Sequence, residues 1–187
     1  VGFAVGINSG SPELGFICAA IAGAALSLSF GFLTQVLLAN QVATGLGLTL
    51  VGLGLSALIG KPYEGMKSPT LPALDIPGFS DIPILGPIVF SHDPMVYVGL
   101  ILVAATWWFL HKTQGGLVLR AVGENHDAAH ALGYKVTRIR ILAIMFGGAC
   151  AGLGGAYLSL VRVPQWTAGM TAGAGWIALA SVVFAGW

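Results

Sequence analysis

Long uncharged apolar runs alternate with short polar segments along the chain. No Asp, Glu, Lys or Arg occurs from Leu14 to Gly60, from Ile141 to Val161 or from Val163 to Trp187. Uncharged apolar runs of about 18 residues or more are typical of membrane-spanning helices. As one helix, the first run would be about 70 Å long, more than twice the bilayer's hydrocarbon core of about 30 Å. It must therefore form two spans, and the polar cluster from Thr34 to Thr44 marks the division.

The pattern predicts an all-α, polytopic transmembrane helical bundle that forms a single domain. Both ends of the chain lie in apolar runs and the chain does not begin with Met, so we expect a fragment truncated at both ends. The predicted spans, of which the first and last are partial, are residues 1–8, 15–38, 41–60, 95–111, 141–161 and 172–187.

The composition agrees with a membrane protein. The chain is 56% hydrophobic and only 8% charged, whereas a soluble domain carries about 25% charged residues. Its 28 glycines fit the same interpretation, because small residues let helix backbones approach closely in lipid. The net charge of +1 gives no reason to expect a nucleic-acid partner. The positions of the charges are more informative than their sum.

Two polar segments separate the later spans. Residues 61–94 contain most of the prolines and two lysines, and proline blocks a continuous helix, so we predict a long external loop. Residues 112–140 carry five of the eight Lys and Arg residues. Because cytoplasmic loops are enriched in these cations, we expect residues 112–140 to face the cytoplasm.

The basic segment contains signals for one short helix. Asn125 can act as an N-cap, and Asp127 in the first turn suits the positive end of the helix dipole. Gly133 supplies a stop that tolerates a left-handed backbone. The pattern predicts a helix over residues 126–132, which is marginal in water by itself. It should be held by docking, either on its own membrane domain or on a cytosolic partner.

Polar residues at the division of the first long run are candidates for a solute pathway. Asn40, Gln41 and Thr44 are expected near or within the membrane, where polar groups are costly unless they face protein or water. They could line the route of a solute and hydrogen-bond its polar groups. A hydrogen bond between helices, or a simple turn at the interface, explains them equally well.

No catalytic or metal-binding constellation is visible in the sequence. His126 and His130 would share a helix face, but two ligands without a third make a weak metal site, and a solvated face is the favoured interpretation. No histidine is paired with a nucleophile or a carboxylate at a catalytic spacing. Cys18 and Cys150 lie in apolar runs and form no paired-cysteine motif. We therefore expect a protein that is not an enzyme.

Several stretches resemble the permease subunits of bacterial ABC importers. The basic segment is the most specific of them, with GGLVLRAVGENHDAAHALGY beginning at Gly115. The resemblance continues through ANQVATGLGLTLVGLGL at 39–55, LGPIVF at 85–90, WWFLHKTQGGLVLRAVGEN at 107–125, GGACAGLGGAYLSL at 147–160 and GMTAGAGWIALASVVFAGW at 169–187. The chain is similar to the branched-chain amino acid, simple-sugar and nucleoside permeases, and most similar to the nucleoside or simple-sugar branch.

The resemblance implies a fragment of the membrane domain of an ABC importer in the bacterial cytoplasmic membrane. Such a permease pairs with a second permease subunit and receives solute from an extracytoplasmic binding lipoprotein. A cytosolic ABC ATPase drives it, so ATP and Mg would be bound by that partner and no cofactor by this chain. The short helix would sit in a groove of the ATPase and transmit its movement.

The family's coupling-loop pattern is matched residue by residue in the basic segment. The matching residues are Gly123, Glu124, Asn125, Ala128, Ala129 and Gly133. His126 departs from the pattern, because the family usually has proline at the first helical position, where proline presets the backbone. This departure puts the fine geometry of the helix start in doubt.

Three transport hypotheses follow. A neutral polar solute, a nucleoside or simple sugar, suits the uncharged spans. A branched-chain amino acid permease stays open, because helix ends can bind a carboxylate. A secondary transporter without an ATPase is less favoured, because such proteins commonly place ionisable residues in their spans and no Asp, Glu, Lys or Arg occurs in the predicted full spans.

Overall fold

The structure, a computed structural model, describes residues 1–67, 93–171 and 173–185, and these fold into helices with no β-strand among them. The helices in chain order are α1 (Gly2–Ser9), α2 (Pro12–Gln35), α3 (Gln41–Gly60), α4 (Pro94–Lys112), α5 (Gln114–Glu124), α6 (His126–Ala131), α7 (Val136–Tyr157) and α8 (Ala174–Phe184). Short non-α turns extend two of them: a 3-10 turn at Lys61–Tyr63 follows α3, and a π turn at Leu158–Arg162 follows α7.

The predicted helical membrane bundle is confirmed. Among the described residues, four helices are long and apolar enough to cross a bilayer: Pro12–Gln35, Gln41–Tyr63, Pro94–Lys112 and Val136–Arg162. The chain is thus a multi-pass membrane protein. The limits of the spans stay a prediction, as does the assignment of residues 61–94 to an external loop and 112–140 to a cytoplasmic segment. Residues 68–92 of the first of these lie outside the described residues.

The first long apolar run divides where its polar cluster predicts. α2 ends at Gln35, and Leu38 adopts a left-handed backbone with φ of 54°. The chain restarts as α3 because the Asn40 side chain accepts hydrogen bonds from Val42 N and Ala43 N at 3.0 and 3.1 Å. A side-chain acceptor at this position satisfies amide groups that a new helix would otherwise leave unpaired.

Small residues bring α2 and α7 into backbone contact. A Cβ atom added to Gly148 would meet the Ser27 side chain and the Gly23 carbonyl, and one added to Gly152 would meet the Ala19 carbonyl. Backbones this close gain dispersion contacts along the whole interface, which drives helix association where lipid removes the hydrophobic effect. The close helix approach that the glycine content predicts is observed at these two glycines.

A hydrophobic cluster closes the end of the bundle where α1 meets α2. Phe3, Phe16 and Leu160 are buried there, and the Trp166 indole packs against Gly60 so closely that no side chain would fit at that glycine. Met95, near the start of α4, packs against the same cluster. The cluster therefore joins α1 and α2 to the segment that contains Trp166.

The two ends of the bundle are held by different contacts. At one end, Asn8 Nδ2 donates to Tyr63 Oη at 2.7 Å, and residues 64–67 form isolated β-bridges with residues 165–166. At the other end, Arg140 Nη1 donates to Gln35 Oε1 at 3.5 Å, which joins the start of α7 to the end of α2. This second end carries residues 36–40 and the cations of segment 112–140. We call it the basic end, and the first the opposite end.

A valine at Gly148 should weaken the bundle, because its side chain has no room between α2 and α7. Overpacking of this kind costs about 1–3 kcal/mol, so we expect Gly148→Val to lower the midpoint of thermal unfolding in detergent micelles by several degrees. Gly147→Val is the matched control, since a Cβ there meets nothing within 4 Å. Equal unfolding midpoints for the two variants would show that the α2–α7 contact is not close-packed.

Candidate functional site

A single threonine forms the corner between α4 and α5 at the basic end. Thr113 Oγ1 donates to the Phe109 carbonyl of α4 at 2.6 Å and accepts from the Gly116 amide of α5 at 3.1 Å. Gly116 is buried, and a Cβ atom there would collide with the Phe109 carbonyl and the Leu110 backbone. The corner between α4 and α5 is consequently close-packed.

The sequence pattern did not predict α5, which lies inside the cytoplasmic segment predicted over residues 112–140. Its inner side buries Val122, while Leu117 and Arg120 are exposed. The apolar spacing of Val118, Leu119 and Val122, preceded by a threonine N-cap, was the available signal for an amphipathic helix. α5 contacts α4, α6 and α7, so it connects the short helix to two spans.

Hydrogen bonds define both ends of the predicted short helix, which is confirmed as α6. Asn125 Oδ1 accepts from Asp127 N at 3.1 Å and from Ala128 N at 3.0 Å. At the other end Gly133 has φ of 85°, Gly133 N donates to His130 O at 2.9 Å, and the Tyr134 amide donates to the Ala129 carbonyl at 3.2 Å. This pair of bonds is a complete Schellman motif. A helix of six residues therefore has a defined start and a defined stop.

The candidate coupling residues divide into an exposed set and one buried residue. Ala129 is 3% exposed and anchors α6 to its own domain, where α6 contacts α5 and α7. The exposed members, which are available to a partner, are Gly123, Glu124, Asn125, Ala128 and Gly133. The short helix thus docks on its own membrane domain and exposes its other side, while docking on a cytosolic partner stays a prediction.

The candidate pathway residues lie at the basic end. Asn40 is the N-cap of α3, Gln41 is exposed in its first turn, and Thr44 is half-buried one turn later. The capping bonds engage the Asn40 side-chain oxygen, which favours the interpretation of this residue as part of a turn. Whether these three residues meet a solute stays a prediction.

Charges on α6 contribute little to holding it in place. His126 Nε2 lies 3.4 Å from Asp127 Oδ1, but the two side chains are 59% and 89% exposed, and exposed ion pairs stabilise by at most about 1 kcal/mol. Within residues 1–67, 93–171 and 173–185, no three His, Cys, Asp or Glu side chains are grouped to hold a metal ion.

Comparison with known proteins identifies relatives along the entire chain. Residues 1–187 match the protein family described as the branched-chain amino acid transport system / permease component. No solved structure matches the chain.

Several curated relatives are ABC transporter permeases. The chain is 37% identical to the putative glucose ABC transporter permease protein of Haloferax volcanii, over 100% of this chain and 58% of the relative. It is 32% identical to the guanosine ABC transporter permease protein of Bacillus subtilis, over 97% of this chain and 59% of the relative. It is 29% identical to a nucleoside ABC transporter permease protein of Lactococcus lactis, over 96% and 58%. The chain therefore spans somewhat more than half of the length of these relatives.

Removal of the Asn125 cap should loosen α6 without unfolding the bundle. Asn125→Ala loses two hydrogen bonds and about 1 kcal/mol of helix stability, so the amides of residues 127 to 129 should exchange hydrogen about five-fold faster in hydrogen–deuterium exchange. Asn125→Asp keeps an acceptor at the cap and serves as the control. If the alanine and aspartate variants exchange equally fast, the cap does not hold this helix.

Proposed function

Because the chain belongs to the family of branched-chain amino acid transport system permease components, we propose that it is the membrane-spanning permease subunit of an ABC importer. It translocates a neutral polar solute, a nucleoside or a simple sugar, that an extracytoplasmic binding protein delivers. A second permease subunit completes the pathway, and a cytosolic ABC ATPase supplies the energy. The complex resides in the bacterial cytoplasmic membrane. ATP and Mg are bound by the ATPase, so this chain itself carries out no hydrolysis.

Two observations support a neutral solute. The interiors of the four long apolar helices contain no charged side chain, since the few charges of these helices lie near their ends. The relatives named above are permeases for glucose, guanosine and nucleosides. A branched-chain amino acid is the second candidate, because the family description names that class. A secondary transporter is disfavoured, since ion coupling commonly uses ionisable residues within the spans.

The geometry of α6 carries the coupling proposal. The helix is capped at both ends and anchored through Ala129, while Ala128 beside it is exposed. A small exposed residue next to a buried one allows a close approach of the ATPase without disturbing the anchor. When ATP binding closes the ATPase, the displacement of α6 passes through α5 to the Thr113 corner and to the start of α7. These two helix ends then move the spans between outward-facing and inward-facing states.

A tryptophan at Ala128 should uncouple the ATPase. The assay uses the full transporter, with its binding protein, in proteoliposomes that contain ATP, and measures uptake of radiolabelled guanosine, glucose and leucine. We expect the wild type to take up guanosine or glucose and to leave leucine outside. Ala128→Trp should lower uptake at least ten-fold and abolish co-purification of the ATPase, because the bulky ring blocks docking.

Lys67→Trp, an exposed substitution at the opposite end, should keep the ATPase bound. The thermal midpoint of Ala128→Trp should equal that of the wild type, since the side chain is exposed. Normal uptake by Ala128→Trp would refute the coupling proposal. Uptake of leucine alone would refute the solute class.

A further inference from the structure

A large, partly open cavity is lined by residues of α1, α2, α3, α7 and α8. Its volume is about 1060 Å³, which is slightly above the range of about 300–1,000 Å³ typical of small-molecule sites. Trp166 and Met170 are among its lining residues, so it reaches the opposite end of the bundle. Its lining does not include Asn40, Gln41 or Thr44, and the cavity is separate from the coupling segment at the basic end.

Hydroxyl groups from three helices line this cavity. Ser29 of α2 donates to the Ala25 carbonyl at 3.3 Å, and Thr49 of α3 donates to the Gly45 carbonyl at 2.8 Å. Ser159 donates to the Ala156 carbonyl at 3.2 Å. Each hydroxyl donates its proton to a backbone carbonyl of the preceding helical turn. Its oxygen keeps lone pairs that can accept a further hydrogen bond. The hydroxyl groups therefore leave no proton without an acceptor in the membrane, and they can still accept hydrogen bonds from the hydroxyl or amide groups of a ligand.

The most buried of these hydroxyls lies where α7 stops being a regular α-helix. Ser159 is 6% exposed and belongs to the π turn Leu158–Arg162, in which the Val163 amide donates to the Leu158 carbonyl at 2.9 Å. Single π turns in helices occur frequently at functional sites. Irregular backbone within a membrane protein is tolerated where it is buried in protein or lines a cavity. A buried polar side chain and an irregular turn thus meet on the same wall.

A glycine leaves the neighbouring part of this wall without a side chain. A Cβ atom added to Gly155 would meet nothing within 4 Å, and Gly155 lines the cavity. The space in front of this residue is open, so no helix of the described chain fills it. Two tryptophans, Trp166 and Trp176, also contribute to the lining. Aromatic faces beside hydroxyl groups suit a ligand that has one apolar and one polar face.

We propose that this cavity binds the transported solute on its way through the membrane, and that Ser159 accepts a hydrogen bond from it. The ligand is a neutral polyhydroxylated compound with an apolar face, which describes both a nucleoside and a sugar. Ser29 and Thr49 accept further hydroxyl protons, and the tryptophans cover the apolar face. This inference rests on the proposed function. It places the first contact of the solute in the half of the bundle that lies opposite the coupling segment.

The test fills the cavity from Gly155. Gly155→Leu directs its side chain into the empty space, and Gly154→Leu is the matched control, because Gly154 is adjacent, also has open space at Cβ and does not line the cavity. In the full transporter, Gly155→Leu should lower guanosine or glucose uptake at least ten-fold, whereas Gly154→Leu should remain within about two-fold of the wild type. ATPase co-purification should persist in both variants, because the coupling segment is unchanged.

Ser159→Ala provides a milder variant that preserves the packing. Loss of one hydrogen bond predicts an uptake rate about three- to ten-fold lower. Equal uptake by the two leucine variants, or unchanged uptake by Gly155→Leu, would overturn the cavity assignment and leave the proposed function standing. A wild-type transporter that carries neither guanosine nor glucose would overturn the proposed solute class and this inference with it.

Discussion

The bilayer requires every buried backbone amide and carbonyl to find a partner within the protein, and the whole structure follows from this constraint. The chain meets it by crossing as α-helices, and a side chain caps the backbone where three of these helices begin. Asn40 caps the restart after α2, Thr113 joins α4 to α5, and Asn125 begins α6. The same constraint explains why Ser159, in the π turn, donates to the Ala156 carbonyl of α7. Asn40, Thr113 and Asn125 therefore mark places where one helix ends and the next begins.

At the basic end, capping of this kind stabilises the very short helix α6. Six residues cannot maintain a helix by propensity, since nucleation is costly and isolated helices shorter than about 12 residues are marginal. Two capping motifs and the buried side chains of Val122 and Ala129 supply the stability that helix propensity alone does not give. The exposed side of α6 remains free to bind a partner. The proposed coupling helix needs both a stable fold and an exposed side, because a frayed helix could not transmit a displacement.

The sequence predicted most of this fold because its signals are local. Uncharged runs identify the spans, and the residues Asn125, Asp127 and Gly133 identify α6 by chemistry that operates within one turn. α5 was missed because its apolar stripe lies in a segment rich in cations and glycine. The burial of Ala129 and the separation of Asn40 from the cavity depend on how helices pack, which no local pattern encodes. The glycines illustrate the same limit: Gly148 and Gly152 contact α2, whereas Gly147 in the same run faces open space.

The most direct test asks which end of the bundle faces the outside of the cell, because the coupling proposal requires the basic end to face the cytoplasm. Single cysteines replace His130 at the basic end and Lys67 at the opposite end, both exposed positions, in a chain whose Cys18 and Cys150 are serine. A membrane-impermeant maleimide is then added to intact cells. Labelling at position 67, with labelling at position 130 only after the membrane is permeabilised, is the expected result. Labelling of position 130 in intact cells would place α6 on the side away from the ATPase and contradict its role as the coupling helix.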